Sequence, residues 1–244
     1  MQRLLAASRV IDRFQSAVGR TAAWLLVPMM LVIITDVITR KFGLLSAAEE
    51  FLMNSGMTWS AGFVDTYLTS TKFQELEWHL HAALFLLCLG FGYVKNSHVR
   101  IEIIREKFDV RTKSWLEVTG IVIFIVPYTY LLFRYGFNFA ERSFAMNEVS
   151  SALTGLSHRW IIKSFVPLGM VLLFIAAMGV LLRNLVFLFG PPDLSREAQR
   201  ISPELRLPEE EKTVQPVGTL GPTNVVEVPR AGVGSVPQSK AEES

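Results

Sequence analysis

The chain has 244 residues and a formal net charge of +2, and half of its residues are hydrophobic, with a mean hydropathy of +0.35. The apolar residues form long blocks instead of the short periodic stripes of amphipathic helices, which excludes an ordinary water-soluble domain. The positive charge is small and dispersed, which excludes the basic surface of a nucleic-acid-binding protein.

Four apolar blocks are long enough to cross a bilayer as helices. A spanning helix needs about 20 mostly apolar residues, because a continuous helix satisfies its own backbone hydrogen bonds across the hydrocarbon. The blocks cover about 22–39, 78–94, 115–133 and 165–182. We therefore predict an all-α integral membrane protein, in which a cytoplasmic segment (1–20) precedes a four-helix membrane domain (21–189).

Lysine and arginine are unevenly distributed among the connecting segments. Residues 1–20 contain four of them, 40–73 three, 95–114 six and 141–163 three. Cytoplasmic loops carry the excess of positive charge. We therefore predict a multi-pass protein of the bacterial inner membrane, with both termini and the 95–114 loop in the cytoplasm and the other two loops in the periplasm.

Two connecting segments and the C-terminal stretch have their own signatures. In the first periplasmic loop, the apolar residues of 44–68 recur at roughly helical spacing, which predicts an interfacial helix. In the cytoplasmic loop, 98–115 interleaves aliphatic and basic residues, which favours an amphipathic helix among anionic lipid headgroups, with a solvated loop as the open alternative. The stretch 190–244 is rich in proline and polar residues, and we predict a disordered cytoplasmic tail.

Ionisable residues inside or beside the spans are candidate sites, because a charge at the bilayer centre is costly. Asp36 and Arg40 lie four residues apart at the outer end of the first span and can pair. Arg40 can also reach Glu75, which stands with Glu77 at the start of the second span, where a helix N-terminus favours carboxylates. A clamp between Arg40 and Glu75, and snorkelling of both side chains to the interface, are both open. Arg134, near the outer end of the third span, is expected to snorkel.

Three histidines on the outer side permit an alternative function. A membrane-anchored redox subunit could hold haem between His158 and either His79 or His81. Against this, both regions lie near the water interface, and two histidines two residues apart point in different directions. The sequence has no P-loop, nucleophile elbow, nucleotide-binding glycine fingerprint or evident metal-ligand cluster, so we expect neither a cofactor nor enzymatic activity. A self-sufficient small carrier is a third hypothesis.

Three separated motifs carry a family resemblance. They are QELEWHLH at 74–81, GFGYVKNSHVRIE at 90–102 and EVSSALTGLSHRWIIKSFVPLG at 148–169. Together they resemble the small membrane subunit, of DctQ type, of tripartite ATP-independent periplasmic (TRAP) transporters, over about 11–189. In the family pattern, HVR is commonly followed by a hydrophobic residue and Asp, and here Ile101 and Glu102 take those places.

The resemblance implies a set of partners and a role. The partners are a large membrane subunit, which carries solute and sodium, and a periplasmic binding protein that captures the substrate, usually an organic acid. This chain is then expected to be a non-catalytic scaffold that braces the large subunit in the bilayer. The structural and interface candidates are Asp36, Arg40, Glu75, Glu77, His98, Arg100, Glu102, Arg134, Glu148 and Lys163.

Overall fold

The computed structural model describes residues 1–56, 69–97, 108–152 and 154–205, and the regular structure in these ranges is helical. The helices are α1 (Gln2–Ala23), α2 (Leu26–Phe42), α3 (Leu44–Asn54), α4 (Ser70–Val94), α5 (Val110–Gly120), α6 (Val126–Ala145), α7 (Trp160–Phe189) and α8 (Pro192–Ile201). A π-helical turn, Ile121–Ile125, joins α5 to α6, and a 3₁₀ turn, Pro203–Leu205, follows α8.

Within the described ranges, four helical runs are long and apolar enough to cross a membrane, which confirms the predicted all-α membrane protein. They are Gln2–Phe42, Ser70–Val94, Val110–Ala145 and Trp160–Phe189. Each predicted span lies inside one of these runs. The runs are longer than the predicted spans because the helices continue through polar residues, which an apolar block excludes.

The central helix is α7, which packs against α1, α4, α5, α6 and α8. Its buried residues include the small side chains of Ala176, Ala177 and Gly179. Small residues allow the backbones of neighbouring helices to approach closely, which is the usual source of packing energy between helices in lipid.

Two glycines bring α4 and α7 into close contact. A Cβ atom on Gly90 would lie 2.8 Å from the carbonyl oxygen of Leu172, and one on Gly169 would lie 3.0 Å from the backbone oxygen of Leu86. Helix α1 joins the same crossing, because Gln15 Nε2 donates to the Leu172 carbonyl at 2.7 Å. Three helices therefore meet at one point, where the space next to the backbone admits only glycine.

The first residues of the chain belong to this packed unit. The predicted cytoplasmic segment, 1–20, falls on α1, which packs against α4 and α7. The buried residues of α1 lie along one face and include polar ones, namely Leu5, Ser8, Gln15, Gly19 and Ala22. Because this stripe is narrow and partly polar, a continuous apolar block begins only near residue 22.

A helix is present at the start of the first long loop, where one was predicted, and the later part of the predicted segment, 57–68, lies outside the described residues. Helix α3 follows α2 directly, and Gly43, with a φ of +59°, makes the left-handed turn between them. Glycine adopts this backbone conformation without the steric cost that a Cβ atom imposes.

The predicted start of the disordered tail, at 190, needs a correction. Pro191 and Pro192 introduce α8, where a missing backbone N–H at the first helical position costs nothing. Ala198 of α8 packs in a buried cluster with Leu5 and Val186. The rest of the predicted tail, from 206, lies outside the described residues. So does 98–107 of the predicted cytoplasmic-loop helix, 98–115, whose last residues belong to α5.

Candidate functional site

Buried and half-buried polar side chains gather at the two ends of the packed helices. At one end, α4 and α7 begin, and at the other, α7 ends beside α1 and α5. The Glu75 cluster, at the first end, consists of Glu75, Glu148, Ser150, Leu156 and Lys163. The Arg183 cluster, at the second end, consists of Asp12, Ser114, Arg183 and Asn184.

Glu75 fastens the loop between α6 and α7 to the start of α4. Its carboxylate accepts hydrogen bonds from the Ser150 hydroxyl and from the Leu156 backbone N–H, the latter at 2.5 Å. The Ser150 N–H donates to the Leu156 carbonyl at 3.1 Å, which closes the loop on itself. A Cβ atom on Gly155 would lie 2.4 Å from Ser150 Oγ and 2.8 Å from a Glu75 carboxylate oxygen. The loop therefore reaches Glu75 only with glycine at this position.

An ion pair joins the same loop to α7. The Lys163 ammonium donates to the Glu148 carboxylate, which holds the pKa of Glu148 below its ordinary value. Lys163 Nζ also lies 3.9 Å from the ring centroid of Phe139 on α6, where a cation is attracted to the face of the ring. Lys163 of α7 therefore contacts both the loop and α6.

The buried carboxylate of Asp36 connects α2 to α4. It is 1% exposed, accepts from Arg40 one turn later on α2, and accepts from Ser70 Oγ at 2.8 Å. The predicted contact between Asp36 and Arg40 is therefore present. The alternative clamp between Arg40 and Glu75 is not the observed arrangement, because Glu75 binds the loop and Ser70 supplies the link between the first two spans.

The remaining sequence candidates lie apart from these contacts. Glu77 is half-buried on α4, and Arg134 is exposed on α6, where it donates to Asn138 of the same helix. Three candidates fall outside the described residues, namely His98, Arg100 and Glu102.

The described residues give no support to the haem hypothesis. His79 Nδ1 lies 2.5 Å from the Glu75 carbonyl oxygen, and His158 Nδ1 lies 2.9 Å from Ser157 Oγ, while His81 is exposed. Within the same ranges, no group of three or more His, Cys, Asp or Glu side chains is placed to hold a metal ion.

The Arg183 cluster was not among the sites predicted from the sequence. The Arg183 side chain is 1% exposed and donates to Asp12 Oδ2 of α1 at 2.5 Å. Next to it, Asn184 Oδ1 accepts from Ser114 Oγ of α5 at 2.7 Å. A signal for this cluster was available, because an arginine and an asparagine interrupt the apolar run 165–189, and a buried charge requires a partner. The cluster joins α1, α5 and α7.

A family model described as "Tripartite ATP-independent periplasmic transporters, DctQ component" matches residues 29–187, which is more than half of the chain. The matched range extends from α2 to the end of α7 and includes the whole Glu75 cluster. No curated protein and no solved structure matches the chain.

Proposed function

Because the chain belongs to the DctQ family and is a small membrane subunit of a TRAP transporter, we propose that it braces the large membrane subunit during sodium-coupled uptake of an organic acid. The substrate is delivered by a periplasmic binding protein. The protein is a multi-pass membrane protein. The proposal places it in the bacterial inner membrane with both termini in the cytoplasm, so that the Glu75 cluster faces the periplasm.

The bonding partners of the buried polar groups support a bracing role. A carrier needs polar groups that line a route across the membrane and exchange partners as the route opens to each side. In the described part of this chain, the carboxylates of Asp36 and Glu75 and the guanidinium of Arg183 are bound to other groups of the same chain. These contacts fix helices to one another, as a rigid support requires.

The buried side chains in the middle of α7 are apolar, and the one buried amide beside them in the described residues, that of Gln15, is bound to the Leu172 carbonyl, which also favours a support over a pathway. Between the two clusters, the buried residues of α7 from Gly169 to Val180 carry no polar side chain. The glycine contacts between α4 and α7 leave no gap at their crossing. A substrate or sodium route is therefore assigned to the large subunit, and this subunit holds that route in place.

Reconstitution into liposomes tests the proposal. We expect no solute uptake by this chain alone, and sodium-dependent uptake when the large subunit and the binding protein are added. The large subunit with the binding protein but without this chain should transport poorly or be recovered in lower amount. Uptake by this chain alone, or full uptake without it, would overturn the proposal.

A further inference from the structure

The exposed surface of α1 has a basic side and an apolar side. Successive residues are turned by about 100° around a helix, so Arg9, Arg13 and Arg20 fall within about 40° of one another, and we call these three residues the arginine stripe. Arg13 and Arg20 are exposed, and the Arg9 side chain is 43% exposed. Beside the stripe, the same helix exposes two large apolar side chains, Val10 (64%) and Phe14 (47%). A helix surface divided in this way is the pattern of a helix that lies at a membrane surface.

The acid of α1 does not neutralise the arginine stripe. Asp12 is the single acidic residue among the first 35 residues of the chain, and its carboxylate is bound on the inner side of α1 by Arg183 of α7. Arg9 contacts Glu197 of α8, whereas Arg20 Nε donates to a backbone carbonyl of α1 at 3.1 Å. Because a carbonyl carries no charge, the stripe keeps a net positive charge on the outer side of the helix.

The length of the first helical run places α1 at the edge of the hydrocarbon. The run through α1 and α2 has 41 residues and is therefore about 61 Å long, twice the roughly 30 Å of a hydrocarbon core. Its apolar block begins near residue 22, so α2 supplies the spanning part. Trp24, which directly follows α1, is 75% exposed, and tryptophan is enriched where the membrane meets water.

Contacts with α4 keep α1 beside the bilayer surface instead of free in water. Gly19 packs against the ring of Phe91, one turn before Lys95 at the end of α4. Lys95 is exposed, and its Nζ lies 6.0 Å from the centroid of the same ring. The level at which α4 ends is thus the level of the last turn of α1, and Lys95 adds a positive charge near Arg20.

We propose that the arginine stripe and Lys95 bind the phosphate groups of anionic phospholipids, while Val10 and Phe14 enter the adjoining acyl-chain boundary. A phospholipid surface supplies both chemistries side by side, as the two sides of α1 require. A guanidinium binds phosphate through two parallel N–H donors, and each basic residue near an anionic surface strengthens the attraction. The inference goes beyond the proposed function and does not require the large subunit.

Lipid selectivity measured beside the stripe tests the inference. Cys88 is the single cysteine, so a Cys88→Ala background allows a fluorophore at Ala17→Cys, an exposed position one turn from both Arg13 and Arg20. The full chain is reconstituted in vesicles of phosphatidylcholine and phosphatidylglycerol in equal parts, with a nitroxide quencher on one lipid or the other. Phosphatidylglycerol should quench more strongly. Its preference over phosphatidylcholine should fall by about fivefold in Arg13→Gln/Arg20→Gln, the effect of roughly one fully effective basic residue.

Two controls separate the stripe from net charge and from misfolding. Arg134→Gln/Arg142→Gln removes the same charge from exposed positions of α6, and it should leave the preference at Ala17→Cys unchanged. Arg13→Lys/Arg20→Lys should retain the preference, because the charge remains. All three double variants should keep the wild-type unfolding temperature, since the replaced side chains are exposed.

Equal quenching by the two lipids in the wild-type background, or an unchanged preference in Arg13→Gln/Arg20→Gln, would overturn the inference. The quenching should also persist when the large subunit is present in the same vesicles. If that subunit shielded the label from both lipids, the stripe would be a protein contact and the inference would fail. Because lipid selectivity is measured on this chain alone, its failure leaves the proposed function standing.

Discussion

Replacing Glu75 by alanine should release the loop between α6 and α7 from the start of α4. The Glu75 carboxylate accepts from the Ser150 hydroxyl and the Leu156 N–H. Alanine removes this acceptor, and both donors then lack a protein partner in a half-buried site. A hydrogen bond to a charged group contributes about 1.5–3 kcal/mol. Because water reaches part of this site, we expect the two bonds together to contribute about 2–3 kcal/mol to the free energy of unfolding.

Two further variants separate the two hydrogen bonds. Glu75→Gln keeps one carbonyl oxygen as an acceptor and should retain part of the stability, whereas Ser150→Ala removes one bond and should cost about 1–1.5 kcal/mol. Because the two residues contact each other, the double variant Glu75→Ala/Ser150→Ala should be less destabilised than the sum of the single changes, by at least about 0.5 kcal/mol.

Thermal unfolding of the purified chain in detergent measures these differences. A second measurement reports on the loop itself. Cys88 is the single cysteine, so a Cys88→Ala background allows maleimide labelling at Ser157→Cys, and labelling should be faster when Glu75 is replaced. If the single effects were additive and the labelling rate did not change, Glu75 would not hold the loop.

Three other predictions concern a helix crossing, a titrating group and the topology. Gly90→Ala places a Cβ atom 2.8 Å from a backbone oxygen of α7, and thermal unfolding should show a loss of about 1–3 kcal/mol. Gly120→Ala, with no atom within 4 Å of the new Cβ, is the matched control and should be neutral or stabilising. The native pKa of Glu148 is lowered, so its contribution to stability is present above the ordinary carboxyl pKa and is lost as the pH falls through the lowered value. In the unfolding temperature measured against pH, Glu148→Gln should lack that acid-side loss. A reporter fused at Lys107 should give a cytoplasmic signal, and a periplasmic signal would contradict the predicted orientation.

The spans were predictable because each one satisfies a local requirement. Any segment that crosses the hydrocarbon must be apolar and must bond its own backbone, wherever the other segments lie. Helices α1 and α8 do not meet that criterion in isolation. Each buries a narrow stripe, and Leu5 of α1 and Ala198 of α8 become core residues only because both contact Val186 of α7.

The predicted contacts are local in the sequence, and the contacts that were not predicted join distant segments. Asp36 and Arg40 are one helical turn apart, so helix geometry alone places their side chains together. Glu75 and Ser150 are 75 residues apart, and Asp12 and Arg183 are 171 apart. Contacts of this kind depend on which helices cross and at which residues they cross, and neither can be inferred from the local pattern of a single sequence.

Four apolar blocks were enough to predict an all-α membrane protein with four spans, and three motifs were enough to indicate the family. The central position of α7, the inclusion of α1 in the packed unit and the partner of each buried charge became known only from the helix arrangement. Each segment enters lipid or stays out according to its own composition. Helix packing instead depends on contacts between distant segments, such as the one that Gly90 allows between α4 and α7.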